Sequence, residues 1–291
     1  MTIYHLGLIG HPLSHSLSPR IQNAALQACG LEGEYSLFPV APDNLQGLKD
    51  LLARVRSGEI TGLNVTIPHK QNVIALLDDL TSTAKAIGAV NVIYLQNQKL
   101  VGDNTDAPGF LADLKRFIRG RESLIDKSAL VLGAGGSARA VVYALLCDGW
   151  KVTVAARRIE QAQQLARSFK NYQLPITSLN SPILRAASLW DQVSNISLLV
   201  NTTPIGMTPD IDQSPLPQNI SIPNGTIIYD LVYNPRETKL VRDARAQGLQ
   251  ATTGLGMLIE QAALGFTLWT GHNPPREAMM TAVEQSPISS L

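Results

Sequence analysis

Lys70 and Asp106 are the two residues whose types and placing best suit proton chemistry. Lys70 closes the run Asn64-Val65-Thr66-Ile67-Pro68-His69-Lys70, which reads as a strand end passing through Pro68 into a helix. That puts Lys70 in a helical first turn, where the dipole disfavours a cation. It is then either a solvated charge or a functional group, and as a functional group it suits acid–base work. Asp106 ends Gly102-Asp103-Asn104-Thr105-Asp106 and begins a helix, where it reads as a cap, a first-turn acid or a partner for a cation. Further polar groups gather at strand ends. In His15-Ser16-Leu17-Ser18-Pro19, Ser18 reads as the N-cap of a helix with Pro19 at its first position, whereas Ser16 has no such structural role. Two hydroxyls beside a helix N-terminus would suit a carboxylate. Ala89-Val90-Asn91 sets an amide in a strand where an apolar residue is expected.

A second chemistry is written in Leu130-Val131-Leu132-Gly133-Ala134-Gly135-Gly136-Ser137-Ala138-Arg139, a strand, a glycine turn and a helix start. Gly133 permits the tight turn, Gly135 lets a pyrophosphate approach the backbone, and Ala138 allows close helix–strand packing. The helix N-terminus presents N–H groups and partial positive charge to phosphates. A plain tight turn is the alternative, but the flanking strand and helix and a second strand at Lys151 favour a dinucleotide. At the end of that second strand stands Ala155-Ala156-Arg157-Arg158, with no acid before Glu160. An acid there would hold the ribose 2′-hydroxyl of NAD, whereas arginine accommodates the 2′-phosphate of NADP. Two solvated loop arginines are the bland alternative. Three later runs also leave strands or open a helix. They are Asn201-Thr202-Thr203-Pro204-Ile205-Gly206-Met207, Tyr229-Asp230-Leu231-Val232-Tyr233-Asn234-Pro235 and Gly254-Leu255-Gly256-Met257-Leu258-Ile259-Glu260-Gln261. The five histidines form no metal set: His11 and His15 are four apart, but Pro12 intervenes and no zinc-protease Glu follows. No Gly-x-Ser-x-Gly elbow offers a hydrolase nucleophile.

The elements that must position these groups alternate almost end to end. Strand patterns over residues 2–9, 34–40 and 60–66 are interleaved with helical ones after Ser18, over 44–55 and after Pro68. Residues 89–95 and 99–102 read as a hairpin across Gln96-Asn97-Gln98, and 106–118 as a bridging helix. The rhythm restarts with buried strands at 128–132, 151–155, 198–201 and 226–230, and helices at 139–146 and 159–169. Residues 208–224, rich in Pro, Asp and Ser, read as a loop. This alternation predicts α/β layers with mostly parallel sheets.

At 291 residues, two domains are the natural expectation. Hydrophobic residues at 45% and charged ones at 16% suit a globular chain, and a net charge of +1 favours neither nucleic acid nor an acidic membrane. Cys29 and Cys147 are the only cysteines, predicted as two buried thiols in different domains of a cytoplasmic protein. The start of the chain has no basic segment or cleavage site of a signal peptide, and the longest apolar run, 257–269, carries Glu260 and Gln261. Neither a membrane nor a nucleic acid is expected as partner.

Together these runs resemble the shikimate dehydrogenase family over nearly the whole chain. The resemblance is carried, in order, by His15-Ser16-x-Ser18-Pro19, Asn64-Val65-Thr66-x-Pro68-x-Lys70, Gly88-Ala89-Val90-Asn91, Gly102 to Asp106, the Gly133 turn, Asn201-x-Thr203-Pro204-x-Gly206-Met207 and the Gly254 to Gln261 block. It implies NADP-dependent interconversion of 3-dehydroshikimate and shikimate, a step toward chorismate and the aromatic amino acids. It implies an open, mostly parallel α/β substrate domain of residues 1–105 and 254–291. A Rossmann domain of 106–253 would bind NADP, with the active site in the crevice between. Lys70 and Asp106 would be the catalytic pair. Ser16 and Ser18 would bind the substrate carboxylate, and Asn64, Thr66, Asn91 and Gln261 its hydroxyls, with Tyr233 nearby. The cofactor would lie on Gly133, Ala134, Gly135, Gly136, Ser137 and Ala138, on Ala156, Arg157 and Arg158, on Thr202, Thr203, Pro204 and Met207, and on Gly254 and Met257. Ala156-Arg157-Arg158 departs from the family's usual Asn-Arg-Thr, losing one amide contact while Arg158 offers a stronger one than Thr. A homodimer is left open.

Two other readings compete. A quinate/shikimate dehydrogenase using NAD as well as NADP is opposed by the paired arginines without a preceding acid. A catalytically silent nucleotide-binding module would need neither Lys70 nor Asp106.

Overall fold

Short continuous apolar runs alternate with helical patterns because the strands of a mostly parallel sheet are covered by helices on their faces. The structure, a computed structural model, describes residues 2–121, 126–170, 184–187, 195–217 and 220–284. Its first part runs β1 (Tyr4–Gly10), α1 (Ser18–Ala28), β2 (Gly33–Pro39), α2 (Leu45–Arg56) and β3 (Gly62–Val65). A 3-10 turn (Asn72–Leu76), β4 (Asp79–Leu80), α3 (Ser82–Ile87), β5 (Val92–Gln96) and β6 (Lys99–Asp103) follow. They form one sheet in the order β2-β1-β3-β5-β6-β4. β1 is parallel to β2 and β3, whereas β5 is antiparallel to β3 and to β6. Asn97 and Gln98 both adopt left-handed φ, at 50° and 63°, between paired Gln96 and Lys99, which closes the expected hairpin in two residues. In α2, Asn44 accepts a capping bond from the Gly47 N–H at 2.9 Å. The helix then buries Leu48, Leu51, Leu52 and Val55, one face at helical spacing, against Ile9, Leu63, Val65 and Ile93 of the sheet.

The second part runs α4 (Asp106–Phe117), β7 (Ser128–Leu132), α5 (Gly136–Cys147), β8 (Lys151–Ala155), α6 (Ile159–Lys170) and β9 (Leu184–Ala187). It continues with β10 (Leu198–Asn201), β11 (Ile227–Asp230), α7 (Lys239–Ala246) and β12 (Ala251–Thr253). Its sheet, β12-β11-β10-β7-β8-β9, is parallel throughout and doubly wound. Its core joins Leu130, Leu132, Leu199 and Ile228 to Leu240, Val241 and Ala244 of α7. Last come α8 (Leu255–Thr270) and α9 (Arg276–Glu284). The chain divides into two compact units, one up to Gly109 and resuming at Ile259, the other Phe110–Leu258. Both divisions fall inside helices, α4 and α8, rather than at the expected 105/106 and 253/254.

Several local expectations are corrected. No α-helix opens at Pro68: residues 67–71 form turns, with the His69 N–H donating to Thr66 O at 2.9 Å, so Lys70 lies on no helical first turn. Only Val73 is buried in the short 3-10 segment that follows, too little apolar surface to hold a longer helix down. Ser18 is the first residue of α1, not its cap; Leu17 holds the cap position, with no side-chain bond. Asn91 lies at a bend one residue before β5 rather than within a strand. Cys29 and Cys147 are free and half-buried, not fully buried. The elements β4, α3, β9, α7 and β12 carried too few periodic residues to be read. The loop 208–224 contains no helix or strand among its described residues.

Candidate active site

In the first unit, the strand ends and the start of α4 gather polar side chains that a core would exclude. Asn64, Asn91, Asn104, Thr105, Asp106 and Gln261 are all buried. Lys70 Nζ lies 2.6 Å from Asp106 Oδ2, with the two side chains 12% and 6% exposed. The turn carrying Lys70 is held by the Val90 N–H, which donates to Lys70 O at 2.7 Å, and by His69, whose ring nitrogen Nε2 lies 2.7 Å from Val40 O. Since a carbonyl only accepts, Nε2 carries the proton.

Asn91 organises the other side of the carboxylate. Its Oδ1 accepts from the Thr105 N–H at 2.7 Å, which fixes the amide's orientation. Nδ2 then faces Asp106 Oδ1 at 2.9 Å, Thr105 Oγ1 at 3.0 Å and Gln261 Oε1 at 3.2 Å. Two hydrogens serve three acceptors, so capacity for a further donor remains at this corner. Asn64 Nδ2 donates to Asn91 O at 3.1 Å, and Tyr35 Oη donates to Asn64 Oδ1 at 2.8 Å. Ser16, Ser18 and Thr66 stand at the same sheet edge, because β1 and β3 are parallel neighbours and the Thr66 N–H donates to Ile9 O at 2.8 Å. Ser16 Oγ accepts from the Ser18 N–H at 3.3 Å, so Ser16, expected to have no structural role, holds the entry to α1. Thr105, Tyr35 and His69 were missed as site residues, since each serves through contacts with residues distant in sequence. Tyr233 belongs to the second unit, half-buried on the chain leaving β11.

In that second unit, the residues assigned to a dinucleotide follow the C-terminal ends of β7, β8 and β10, except Gly254 and Met257, which follow β12. Gly133 has φ +109°, and a Cβ there would meet Thr202 Oγ1 at 2.5 Å, so only glycine fits. Its N–H donates to Ala155 O at 2.8 Å, which ties the turn to the strand end bearing Ala156, Arg157 and Arg158. Gly135 caps α5 without a side chain, and nothing lies within 4 Å of a Cβ built on it. An open helix start with room against its backbone fits a pyrophosphate, as the Gly133 to Ala138 turn requires. Ala138 is fully buried beneath it. Arg157 and Arg158 are exposed and make no ion pair with a described residue. Thr202 Oγ1 donates to Leu132 O at 2.6 Å, and Thr203 Oγ1 donates to Asn201 Oδ1 at 2.7 Å, which fixes the loop through Pro204 to Met207 beside the glycine turn. Gly254 immediately precedes α8, on which Met257 is buried and Gln261 lies about one turn further on. Among the described residues, no group of three or more His, Cys, Asp or Glu could hold a metal ion.

Residues 8–93 match the Shikimate dehydrogenase substrate binding domain, 117–198 the Shikimate / quinate 5-dehydrogenase family, and 254–284 the Shikimate 5'-dehydrogenase C-terminal domain. The Shikimate dehydrogenase (NADP(+)) of Salinibacter ruber is 42% identical over 279 residues, 95% of each chain. The chain belongs to the shikimate dehydrogenase family. Among solved shikimate dehydrogenases, the enzyme of Thermus thermophilus in complex with NADP(H) and shikimate is 39% identical, with a TM-score of 0.82 over 97% of this chain and 99% of that one. The quinate dehydrogenase of Corynebacterium glutamicum in complex with NAD shares the fold at a TM-score of 0.84 over 98% and 100% of the chains, with 30% identity. Family membership gives the Asn91-centred network and the open glycine turn a common context: two α/β units, each with polar residues at the ends of its strands.

Proposed function

We propose that this protein is an NADP-dependent shikimate dehydrogenase that reversibly reduces 3-dehydroshikimate to shikimate in aromatic amino acid biosynthesis. The observation that carries the reading is the 2.6 Å pairing of Lys70 Nζ with Asp106 on an Asn91 and Gln261 framework, in a chain of this family. Lys70 takes the proton from the reacting hydroxyl during oxidation and returns it during reduction. Asp106 aims the ammonium, and its second oxygen, braced by Asn91, receives a neighbouring hydroxyl. When bound, the nicotinamide supplies the hydride acceptor or donor. Asn64, Thr66, Gln261 and Tyr233 bind ring hydroxyls. The Gly133 to Ala138 turn, the Thr202 to Met207 loop, Gly254 and Met257 hold the dinucleotide, with Arg157 and Arg158 on its 2′-phosphate. That arginine pair supports NADP over the NAD of the quinate enzyme. Purified protein with shikimate and NADP should show reduced nicotinamide forming by absorbance. No turnover with shikimate, or equal rates with quinate and NAD, would overturn the reading.

Ser16 and Ser18 are assigned to the substrate carboxylate. A hydrogen bond to a charged group contributes about 1.5–3 kcal/mol, so Ser16→Ala and Ser18→Ala should each raise the shikimate KM about tenfold to a hundredfold. Because Ser18 caps no helix, its variant should unfold within a degree or two of the parent. An unchanged KM and turnover in Ser16→Ala would remove its binding role.

The same proposal takes the protein as cytoplasmic, with unpaired Cys29 and Cys147 in keeping with a reducing compartment. Among the described residues no helix is long and apolar enough to cross a membrane. A homodimer, the commonest closed assembly, is the state to test by sedimentation equilibrium.

A further inference from the structure

Asp230 ends β11 as a fully buried carboxylate that forms no ion pair with a described residue. Three donors converge on it. Asn201 Nδ2 and the Val232 N–H reach Oδ1 at 2.8 and 3.0 Å, and Thr238 Oγ1 reaches Oδ2 at 2.7 Å. Asn201 closes β10, and its own Oδ1 accepts from the Thr203 N–H at 3.0 Å and from Thr203 Oγ1 at 2.7 Å. Thr203 follows Thr202, whose hydroxyl bonds Leu132 O at the glycine turn. One carboxylate thus anchors the loop that leaves β10. That loop stands where the winding of the sheet reverses, between β7 and β10, the place at which doubly wound sheets bind ligands.

A fold alone gives little reason to keep a charge here. Burying an ion without a counter-ion is costly, and an amide of the same shape could accept the two bonds at Oδ1 without that cost. We propose that Asp230 is a positioning residue of the dehydrogenase: its ionised carboxylate sets the Asn201–Thr203 loop in the shape that receives the dinucleotide. This rests on the cofactor reading above.

Burial raises the Asp230 carboxyl from its ordinary 3.8 to about 6, against the opposing hydrogen bonds of Thr238, Val232 and Asn201. The groups facing it are neutral. The ionisable groups of α7 are engaged elsewhere, Lys239 with Asp243, Arg242 with Asp212 and Arg245 near Glu237 just before the helix. Tyr229, the preceding residue on β11, donates to Asp113 Oδ2. Protonation below about pH 6 turns one acceptor into a donor among three donors, so the clamp loosens as pH falls. Stability runs the other way. A carboxyl raised in the folded state contributes stability that is full below pH 3.8 and is lost as pH rises through about 6.

The test is calorimetric binding of NADP and of shikimate to the parent protein and to Asp230→Asn between pH 5 and 8, with urea unfolding over the same range. At pH 8 the variant should bind NADP on the order of tenfold more weakly, as a misplaced loop costs, with shikimate within twofold of the parent. The parent's NADP affinity should fall as pH drops through about 6. A 2′-phosphate also titrates near there, at about pH 6, but the variant keeps that contribution, so the slope it loses belongs to Asp230. Its unfolding should also lack the parent's loss of stability up to about pH 6. Should Asp230→Asn not fold, Thr238→Val removes one donor to the carboxylate and must move the midpoint of NADP binding to higher pH. NADP binding unchanged in Asp230→Asn, equal weakening of both ligands, or an unmoved midpoint in Thr238→Val would overturn the inference. A parent that binds no NADP at pH 8 would instead overturn the cofactor reading itself.

Discussion

Lys70→Ala should cut turnover with shikimate by about 10²–10⁴-fold, the usual contribution of a positioned acid–base group. Its stability should fall as well. Lys70 lies in a turn and not on a helix dipole, so removing it relieves no unfavourable charge and strands the buried Asp106 with Asn91. Breaking a buried pair from one side costs up to about 3–5 kcal/mol, so thermal unfolding must be followed beside turnover. Lys70→Gln, which keeps a donor near Asp106 but cannot take a proton, separates the two effects: it should be nearly as slow and considerably more stable. Asp106→Asn should also slow turnover, since an amide cannot hold the ammonium by charge. If the two residues act as one unit, the double variant is little worse than the poorer single one. Losses that multiply would assign them separate tasks. Near-normal turnover in folded Lys70→Ala would refute proton transfer through Lys70.

Arg157→Ala should weaken NADP about tenfold to a hundredfold, because each charged hydrogen bond to a 2′-phosphate contributes about 1.5–3 kcal/mol. NAD, which lacks that phosphate, should be bound almost as before, so the ratio of the two dissociation constants is the decisive quantity. Arg157 is exposed and pairs with no described acid, so its removal should leave the melting temperature unchanged. A smaller loss is expected for Arg158→Ala if Arg157 alone forks onto the phosphate, and a comparable one if both do. Equal weakening of NADP and NAD by Arg157→Ala would show that the guanidinium serves the rest of the dinucleotide instead.

The two-unit α/β architecture was legible in the sequence because its signals are local. Strands at 128–132, 151–155 and 198–201 are short apolar runs, and they stand in the structure at those bounds. The glycine turn was legible for the same reason, since Gly133 to Ala138 meets its requirements within one strand–turn–helix. The bounds of β1, β3 and α5 differed by one to three residues, as ends set by the last hydrogen bond do. What the sequence could not carry were features made by distant partners. Pro68 fits a helix start and a turn equally well, and only packing at Val73 and the bond from His69 to Val40 decided for the turn. Ser18 lost the cap expected of it because the helix starts at Ser18 itself, with Leu17 at the cap and Ser16 Oγ accepting from the Ser18 N–H. By itself the sequence determined the residue types at each strand end, the α/β alternation of the longer elements and hence the family. The resemblance implied that Lys70 pairs with Asp106; the tertiary structure gave that contact its 2.6 Å geometry and decided that Asn91 turns its amide toward that carboxylate and Gln261, and that Asp230 is buried among three donors. Those contacts span 36, 15, 170 and 29 positions for Lys70–Asp106, Asn91–Asp106, Asn91–Gln261 and Asn201–Asp230, and no local propensity encodes a hydrogen bond closed over such distances.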